Sequence, residues 1–274
     1  IPDAEEKVIV QCTVDTADVN NRYRVDHAVI GDAAFTLQGL IGELEETGGL
    51  SRDEALIAEI TDIKEDMMAK YRLLMESTDK PINPYRVYKA LQETLDPKKS
   101  FLTHDSGNTR DQLSTVYQAL SPRSFMGWGD VSTLGFGLAA ATAAKLAHPE
   151  WQCVNVTGDA GVGYMLGNLE ALVRQDIGVT TVHINNGGFS GYGPGFWGEG
   201  HDPYTCEVSD HAVANMAEAV GGLGYYSETV SDPAEVIPAL KRAFAQNAED
   251  RPAYLEVLCS QYPVFGEWVR EGEH

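Results

Sequence analysis

The sequence of 274 residues has few cysteines, few basic residues and no long apolar run. Its four cysteines lie far apart and form no CxxC pair, so neither a disulfide framework nor a structural zinc site is predicted, and a reducing, cytoplasmic setting is favoured. No stretch approaches the ~20 apolar residues that a membrane span requires. Because 20 Lys and Arg stand against 41 Asp and Glu, the net charge of -21 argues against nucleic acid or a membrane surface as a partner.

The pattern of apolar residues predicts an α/β protein with two parts. From residue 83 to residue 274, short β-branched segments alternate with helical patterns, which is typical of a parallel sheet with helices on both faces. Residues 1–50 carry two short strand patterns and one helical pattern, a partial βαβ unit with too few strands to stand alone. Residues 51–82 are rich in charge and predict an exposed helical linker. We therefore expect another polypeptide to complete the small sheet.

A short turn between a strand pattern and a helical pattern carries the strongest chemical signal. It comprises Gly158, Asp159, Ala160 and Gly161. Helix amides at such a turn bind phosphate, but a carboxylate beside them repels it unless a hard cation such as Mg2+ lies between. The next predicted strand ends at Asn185 and Asn186, and parallel strand ends lie only about 4.8 Å apart. The carboxylate of Asp159, the amide oxygen of Asn186 and the carbonyl of Gly188 are therefore predicted to share one magnesium ion.

The spacing of this turn and the paired asparagines resembles the cofactor fingerprint of thiamine-diphosphate-dependent enzymes. The resemblance is to the branch that contains acetolactate synthase and benzoylformate decarboxylase, and Ala160 stands where the family usually has glycine. It implies a thiamine-diphosphate-binding fold, with thiamine diphosphate and Mg2+ as cofactors. The resemblance extends over nearly the whole chain, but it corresponds to only the C-terminal half of a family member, with residues 1–50 matching the end of the central domain.

Two further segments resemble the same family. The run Asp130–Gly137 is similar to the turn beneath the cofactor, where the residue matching Leu134 supports a bent cofactor and the carbonyl matching Ser132 accepts a hydrogen bond from its aminopyrimidine. Such a bend makes proton removal intramolecular. The turn Gly107–Thr109 is similar to the first diphosphate loop. The resemblance implies cofactor contacts from Asn108, Thr109, Ser132, Leu134, Gly158, Asp159, Ala160, Gly161, Asn186, Gly188 and Phe189.

The resemblance also implies that this chain needs a partner. In the family, a separate pyrimidine-binding domain supplies a glutamate that protonates the cofactor's pyrimidine, and no glutamate here matches it. We therefore expect a complementary chain that carries this domain and the rest of the central domain, in a heterotetramer or a larger assembly. The predicted function is that of the diphosphate- and magnesium-binding subunit of an enzyme that decarboxylates or ligates 2-oxo acids.

Three other interpretations remain. An acyl-coenzyme A lyase or decarboxylase of the same family is one, although no basic cluster is present for the coenzyme's phosphates. A dinucleotide-binding redox domain lacks its GxGxxG turn, and a non-catalytic scaffold subunit is at odds with the intact Asp159 and Asn186. Capping, core or surface roles are predicted for His104, His183 and His201. The aromatic residues of the glycine-rich loop 187–200 either close over an apolar substrate or pack against the protein.

Overall fold

The computed structural model describes residues 7–188 and 215–261, and the chain forms two compact units, Ile1–Asp62 and Ile63–His274. The predicted cofactor residue Phe189, His201 and the aromatic residues of the glycine-rich loop lie outside the described residues. None of the helices in the described ranges is both long enough and apolar enough to cross a membrane. The predicted limits of the linker, residues 51 and 82, stay a prediction.

The first unit contains a small parallel sheet and an exposed helix. Strand β1 (Val10–Thr13) pairs with strand β2 (His27–Ile30), and helix α1 (Ala33–Glu46) follows with Asp32 as its cap. No side chain of α1 is buried. The apolar side chains that it exposes are Phe35, Leu37, Leu40, Ile41 and Leu44. Helix α2 (Glu54–Met75) begins in this unit and ends in the second one.

Within its described residues, the second unit is built on one parallel sheet of six strands in the order β4-β3-β5-β6-β8-β7. The strands are β3 (Ser100–His104), β4 (Phe125–Met126), β5 (Gln152–Gly158), β6 (Thr180–Asn185), β7 (Tyr226–Val230) and β8 (Ala253–Leu258). The helices are α3 (Pro84–Thr94), α4 (Asn108–Val116), α5 (Phe136–Ala147), α6 (Asp159–Arg174), α7 (Met216–Gly221) and α8 (Val236–Asn247). This arrangement confirms the predicted fold class.

Alternation along the strands sends successive side chains to opposite faces of the sheet, and each face has its own core. One core joins the sheet to α3, α4 and α8, with Leu102, Val154 and Val182 among its buried residues. The other joins the sheet to α5, α6 and α7, and includes Phe101 and Cys153. Each fully buried Val, Leu or Phe contributes roughly 1.5–3 kcal/mol to folding. Helices thus cover both faces, as the sequence pattern predicts.

The face that carries α5, α6 and α7 becomes polar toward the carboxyl ends of its strands. Thr157 of β5 lies opposite His183 of β6, which in turn lies opposite Glu256 of β8. All three side chains are buried. Buried polar groups are costly unless they are hydrogen-bonded. This row is therefore the part of the sheet where hydrogen bonds must offset the cost of burying polar side chains.

The apolar pattern of the sequence predicts helices that begin near residues 110, 133 and 163, and all three begin elsewhere in the structure. Helix α6 begins at Asp159 rather than near residue 163, α4 at Asn108 rather than near 110, and α5 at Phe136 rather than near 133. The short strand β4 was not predicted. Gly161 lowers the intrinsic helix propensity at the start of α6, and its packing, described below, overrides that preference.

Candidate functional site

Asp159 occupies the junction between strand β5 and helix α6. It is the first residue of α6 and directly follows Gly158, the last residue of β5. Its Oδ1 lies 3.2 Å from Nε2 of His183, and its Oδ2 accepts a hydrogen bond of 3.3 Å from the backbone N–H of Asn186. The side chain is 28% exposed. A carboxylate at a helix N-terminus is stabilised by the helix dipole, and this one is also held by the neighbouring strand end.

The two asparagines shape the turn that follows β6. The backbone N–H of Gly187 donates to Oδ1 of Asn185, and that of Gly188 donates to Oδ1 of Asn186, both at 3.3 Å. Gly187 has a φ of 72°, a left-handed conformation that glycine adopts at little cost. Glu256 accepts a hydrogen bond of 2.7 Å from Nδ2 of Asn185. The structure thus brings Asp159 and the Asn186 turn together, as the spacing predicts.

The chemistry of this donor set fits a hard divalent cation. Within residues 7–188 and 215–261, no three His, Cys, Asp or Glu side chains converge on a metal position. A cation at Asp159 would therefore complete its shell with amide and carbonyl oxygens, which Asn186 and Gly188 offer. Mg2+ prefers such oxygen ligands and leaves room for diphosphate oxygens and water. Their role as ligands stays a prediction.

The predicted diphosphate loop forms the start of helix α4. Gly107 precedes the helix with a φ of 94°, and Asn108 and Thr109 are its first two residues. The Thr109 hydroxyl is buried and donates to the carbonyl of Asp105 at 3.2 Å. Because that single proton is already used, a phosphate contact from Thr109 would come from its backbone N–H.

Asp105 is a buried carboxylate that the sequence analysis did not single out. Its oxygens accept hydrogen bonds from the backbone N–H of Gly135 at 3.0 and 2.9 Å, from that of Ser106 at 2.8 Å, and from the Thr157 hydroxyl at 3.3 Å. Burial raises the pKa of this carboxyl, and these hydrogen bonds offset part of that rise. Asp105 therefore ties the end of β3 to β5 and to the start of α5.

The start of α5 contains the residue predicted to support the bent cofactor. Gly135 precedes the helix with a φ of 85° and is held by Asp105, so the position of Leu134 is set by the adjoining peptide. Leu134 is half-buried and belongs to neither core. Ser132 is exposed, and its hydroxyl is hydrogen-bonded to that of Ser106. The position of Leu134 therefore does not indicate a role confined to core packing.

Gly161 has a packing reason to be glycine that does not involve a ligand. A Cβ atom there would lie 2.2 Å from Oγ1 of Thr157 and 2.8 Å from Oδ2 of Asp105. These distances are too short for atoms that are not bonded, so a side chain would push α6 away from the sheet. Ala160 is the second residue of α6 and is half-buried. The small residues of this turn thus let α6 approach Asp105.

The predicted core role of His183 agrees with its burial, but the residue also contacts the site. Its Nδ1 lies 2.8 Å from the Tyr254 hydroxyl, and its Nε2 lies 3.2 Å from Asp159. His104 is buried beside Phe125, with ring centroids 5.5 Å apart, and burial lowers its pKa. Asp105 had a signal in the sequence, since it follows a buried strand directly, as Asp159 does.

Residues 105–257 match the family described as "Thiamine pyrophosphate enzyme, C-terminal TPP binding domain". The chain belongs to this thiamine pyrophosphate enzyme family. Membership confirms the family resemblance of the sequence, and thiamine pyrophosphate is the same compound as thiamine diphosphate. The matched range begins at Asp105 and includes every residue predicted to contact the cofactor or the metal ion.

Proteins similar to this chain include acetolactate synthases and a 2-hydroxyacyl-CoA lyase. The probable acetolactate synthase large subunit of Methanocaldococcus jannaschii is 29% identical over 188 residues, 67% of this chain and 31% of the relative. The acetolactate synthase large subunit IlvG of Mycobacterium tuberculosis is 30% identical over 237 residues, which are 84% of this chain and 38% of the relative. The 2-hydroxyacyl-CoA lyase of Arabidopsis thaliana is 27% identical over 260 residues, which are 91% of this chain and 44% of the relative. The chain thus spans less than half the length of these relatives.

Proposed function

We propose that this chain is the diphosphate- and magnesium-binding subunit of a cytoplasmic, two-chain enzyme that decarboxylates or ligates 2-oxo acids. The observation that carries the proposal is the contact between Asp159 and the Asn186 turn. It joins a helix N-terminus, a carboxylate and two amide or carbonyl oxygens at one edge of a parallel sheet, where ligands of such folds bind. The acetolactate synthase relatives support the choice of 2-oxo acids.

Each part of the site has a separate task in this proposal. Asp159, Asn186 and the Gly188 carbonyl hold Mg2+, and the backbone at Asn108 and Thr109 donates to phosphate oxygens. Leu134 supports the bend of the cofactor from below. When bound, thiamine diphosphate supplies a nucleophilic carbon and an acceptor for the electrons of the broken bond.

The first unit supports the part of the proposal that concerns a partner chain. Its sheet has two strands, and α1 exposes apolar side chains such as Phe35, which is 75% accessible. Exposed apolar clusters of this kind mark protein interaction surfaces. We propose that the partner covers this unit and contributes the glutamate that activates the cofactor, in a heterotetramer or a larger assembly.

The magnesium site is tested by replacing its one carboxylate. In Asp159→Ala, we expect Mg2+-dependent binding of thiamine diphosphate to weaken by well over ~10-fold, because a direct ligand matters more than a neighbour of a ligand. Isothermal titration calorimetry of the assembled protein measures this. Asp232→Ala is the matched control, since Asp232 also lies between a strand and a helix and accepts from the N–H of Ala234. Equal affinities in both variants would contradict the proposal.

An acyl-coenzyme A lyase or decarboxylase is the second candidate, because relatives with such names match the chain over most of its length. The two candidates differ in substrate, and product analysis separates them. We expect the assembled enzyme to release CO2 from a 2-oxo acid and to pass the remaining acyl group to a proton or to a second carbonyl compound. Cleavage of a 2-hydroxyacyl-CoA without turnover of 2-oxo acids would favour the second candidate.

A further inference from the structure

A hydrogen-bonded chain of three side chains leads from the core of the second unit to the candidate metal site. The Tyr254 hydroxyl lies 2.8 Å from Nδ1 of His183, and Nε2 of the same ring lies 3.2 Å from Oδ1 of Asp159. Tyr254 and His183 are 0% and 1% exposed. The partly exposed Asp159 is therefore supported from behind by two residues that have little freedom to move.

One arrangement of protons satisfies all three groups when Asp159 is ionised and His183 is neutral. An ionised carboxylate can only accept, so Nε2 of His183 must carry the proton that it shares with Asp159. In a neutral imidazole the other nitrogen is then an acceptor, and the Tyr254 hydroxyl must donate to it. Every donor in the chain has an acceptor, and all of them point toward Asp159. Tyr254 thus selects the tautomer of His183.

The neighbours of His183 keep the ring in this position. Thr157 and Glu256 lie opposite it on the adjacent strands, so it stands in the middle of the sheet. Its hydrogen bond to Asp159 spans from β6 to the first residue of α6. One lone pair on Oδ1 is therefore engaged toward the protein interior. Together with the backbone N–H of Asn186 on Oδ2, this contact sets the orientation of the carboxylate toward a cation.

We propose that His183 is a positioning residue that, with its tautomer set by Tyr254, orients the Asp159 carboxylate for the divalent metal. The inference rests on the proposed magnesium site and goes beyond it. It states that two residues that do not touch the ion contribute to the affinity of the site for it. Outer hydrogen-bond partners of metal ligands typically alter metal affinity 10- to 100-fold. A role limited to core packing predicts no such change.

The test measures Mn2+ affinity by electron paramagnetic resonance, with the full chain in its native assembly and thiamine diphosphate present. We expect His183→Leu to weaken Mn2+ binding ~10- to 100-fold. His183→Gln should restore most of that affinity, because its amide N–H takes the place of the ring N–H. Tyr254→Phe removes the fixed tautomer but leaves the ring, so its loss should be smaller.

Thr181→Val is the matched control for burial on the same strand. Thr181 is 0% exposed and its hydroxyl has no hydrogen-bond partner among the described residues. It should bind Mn2+ as the wild type does. If His183→Leu also binds Mn2+ like the wild type, the proposal is overturned. Thermal unfolding without metal checks that each variant folds, and if His183→Leu does not, unchanged affinity in Tyr254→Phe overturns the proposal instead.

Asp159→Ala separates this inference from the proposed function on which it rests. Wild-type Mn2+ affinity in Asp159→Ala would overturn the magnesium site itself, and with it the role of His183. Loss of affinity in Asp159→Ala together with wild-type affinity in His183→Leu would overturn only the inference. Weakening in both, with rescue by His183→Gln, is the expected result.

Discussion

The two faces of the six-stranded sheet use the same strands for different purposes. The face toward α3, α4 and α8 stays apolar toward the carboxyl ends of the central strands, at Ile184 of β6, at Val257 of β8 and at Val156 of β5. On the opposite face, the same strand carries Cys153 in the apolar core and then Thr157 beside Asp105. Near the strand ends, this part of one face therefore serves stability, whereas the same part of the other face gives up apolar burial to position polar groups.

This comparison predicts that stability and cofactor binding respond together on one face and separately on the other. The largest effect is expected for Asp105→Ala. The change leaves the partly buried N–H groups of Ser106 and Gly135 without their acceptor, at a cost of about 1–3 kcal/mol for each group. Because Gly135 adjoins Leu134, binding of thiamine diphosphate should fall as well. Urea unfolding and calorimetry on the same preparation measure both effects.

A variant on the apolar face should lower stability alone. Leu102 is fully buried in the core toward α3, α4 and α8, so Leu102→Ala should reduce the free energy of unfolding by ~2–5 kcal/mol. Its affinity for thiamine diphosphate, measured well below the melting temperature and expressed per folded chain, should match the wild type. A parallel loss of affinity would break the distinction between the faces.

Leu134→Ala should show the opposite separation. Leu134 is half-buried and outside both cores, so the free energy of unfolding should fall by only about 1 kcal/mol. Turnover should fall far more if the side chain supports the bent cofactor. Melting curves and turnover of the assembled enzyme distinguish the two quantities. Normal turnover per folded site with a large loss of stability would assign Leu134 to packing.

The smallest expected effect is a dependence on pH at Asp105. Burial raises the pKa of this carboxyl above its ordinary value of 3.8, so the folded state binds the proton more readily than the unfolded state. Its contribution to stability is therefore greatest below pH 3.8 and declines as pH rises through the folded pKa. The stability difference between wild type and Asp105→Asn should grow as the pH is lowered across this window. Unfolding by urea at several acidic pH values measures it, and a difference that shrinks would contradict the assignment.

The sequence predicts what depends on local pattern and on the order of strands. Alternation of strand and helix patterns predicts the parallel sheet. Asp159 and Asn186 follow two consecutive strands, so the contact between them is predicted as well. Tyr254 lies 71 residues from His183, and their contact depends on a shared face and register that a single sequence does not reveal. The early start of α6 at Asp159 likewise depends on Gly161 packing against Asp105, which is distant in sequence.

Glu256 contacts the chain on both sides of the stretch from residue 189 to residue 214. One of its oxygens accepts from Asn185, just before this stretch, and the other accepts from the N–H of Ala217 at 2.8 Å, just after it. A single buried carboxylate thus anchors the chain on both sides. For protein engineering, Asn185 and Ala217 are therefore suitable boundaries for exchanging the residues between them with the corresponding segment of a relative, because Glu256 holds both positions.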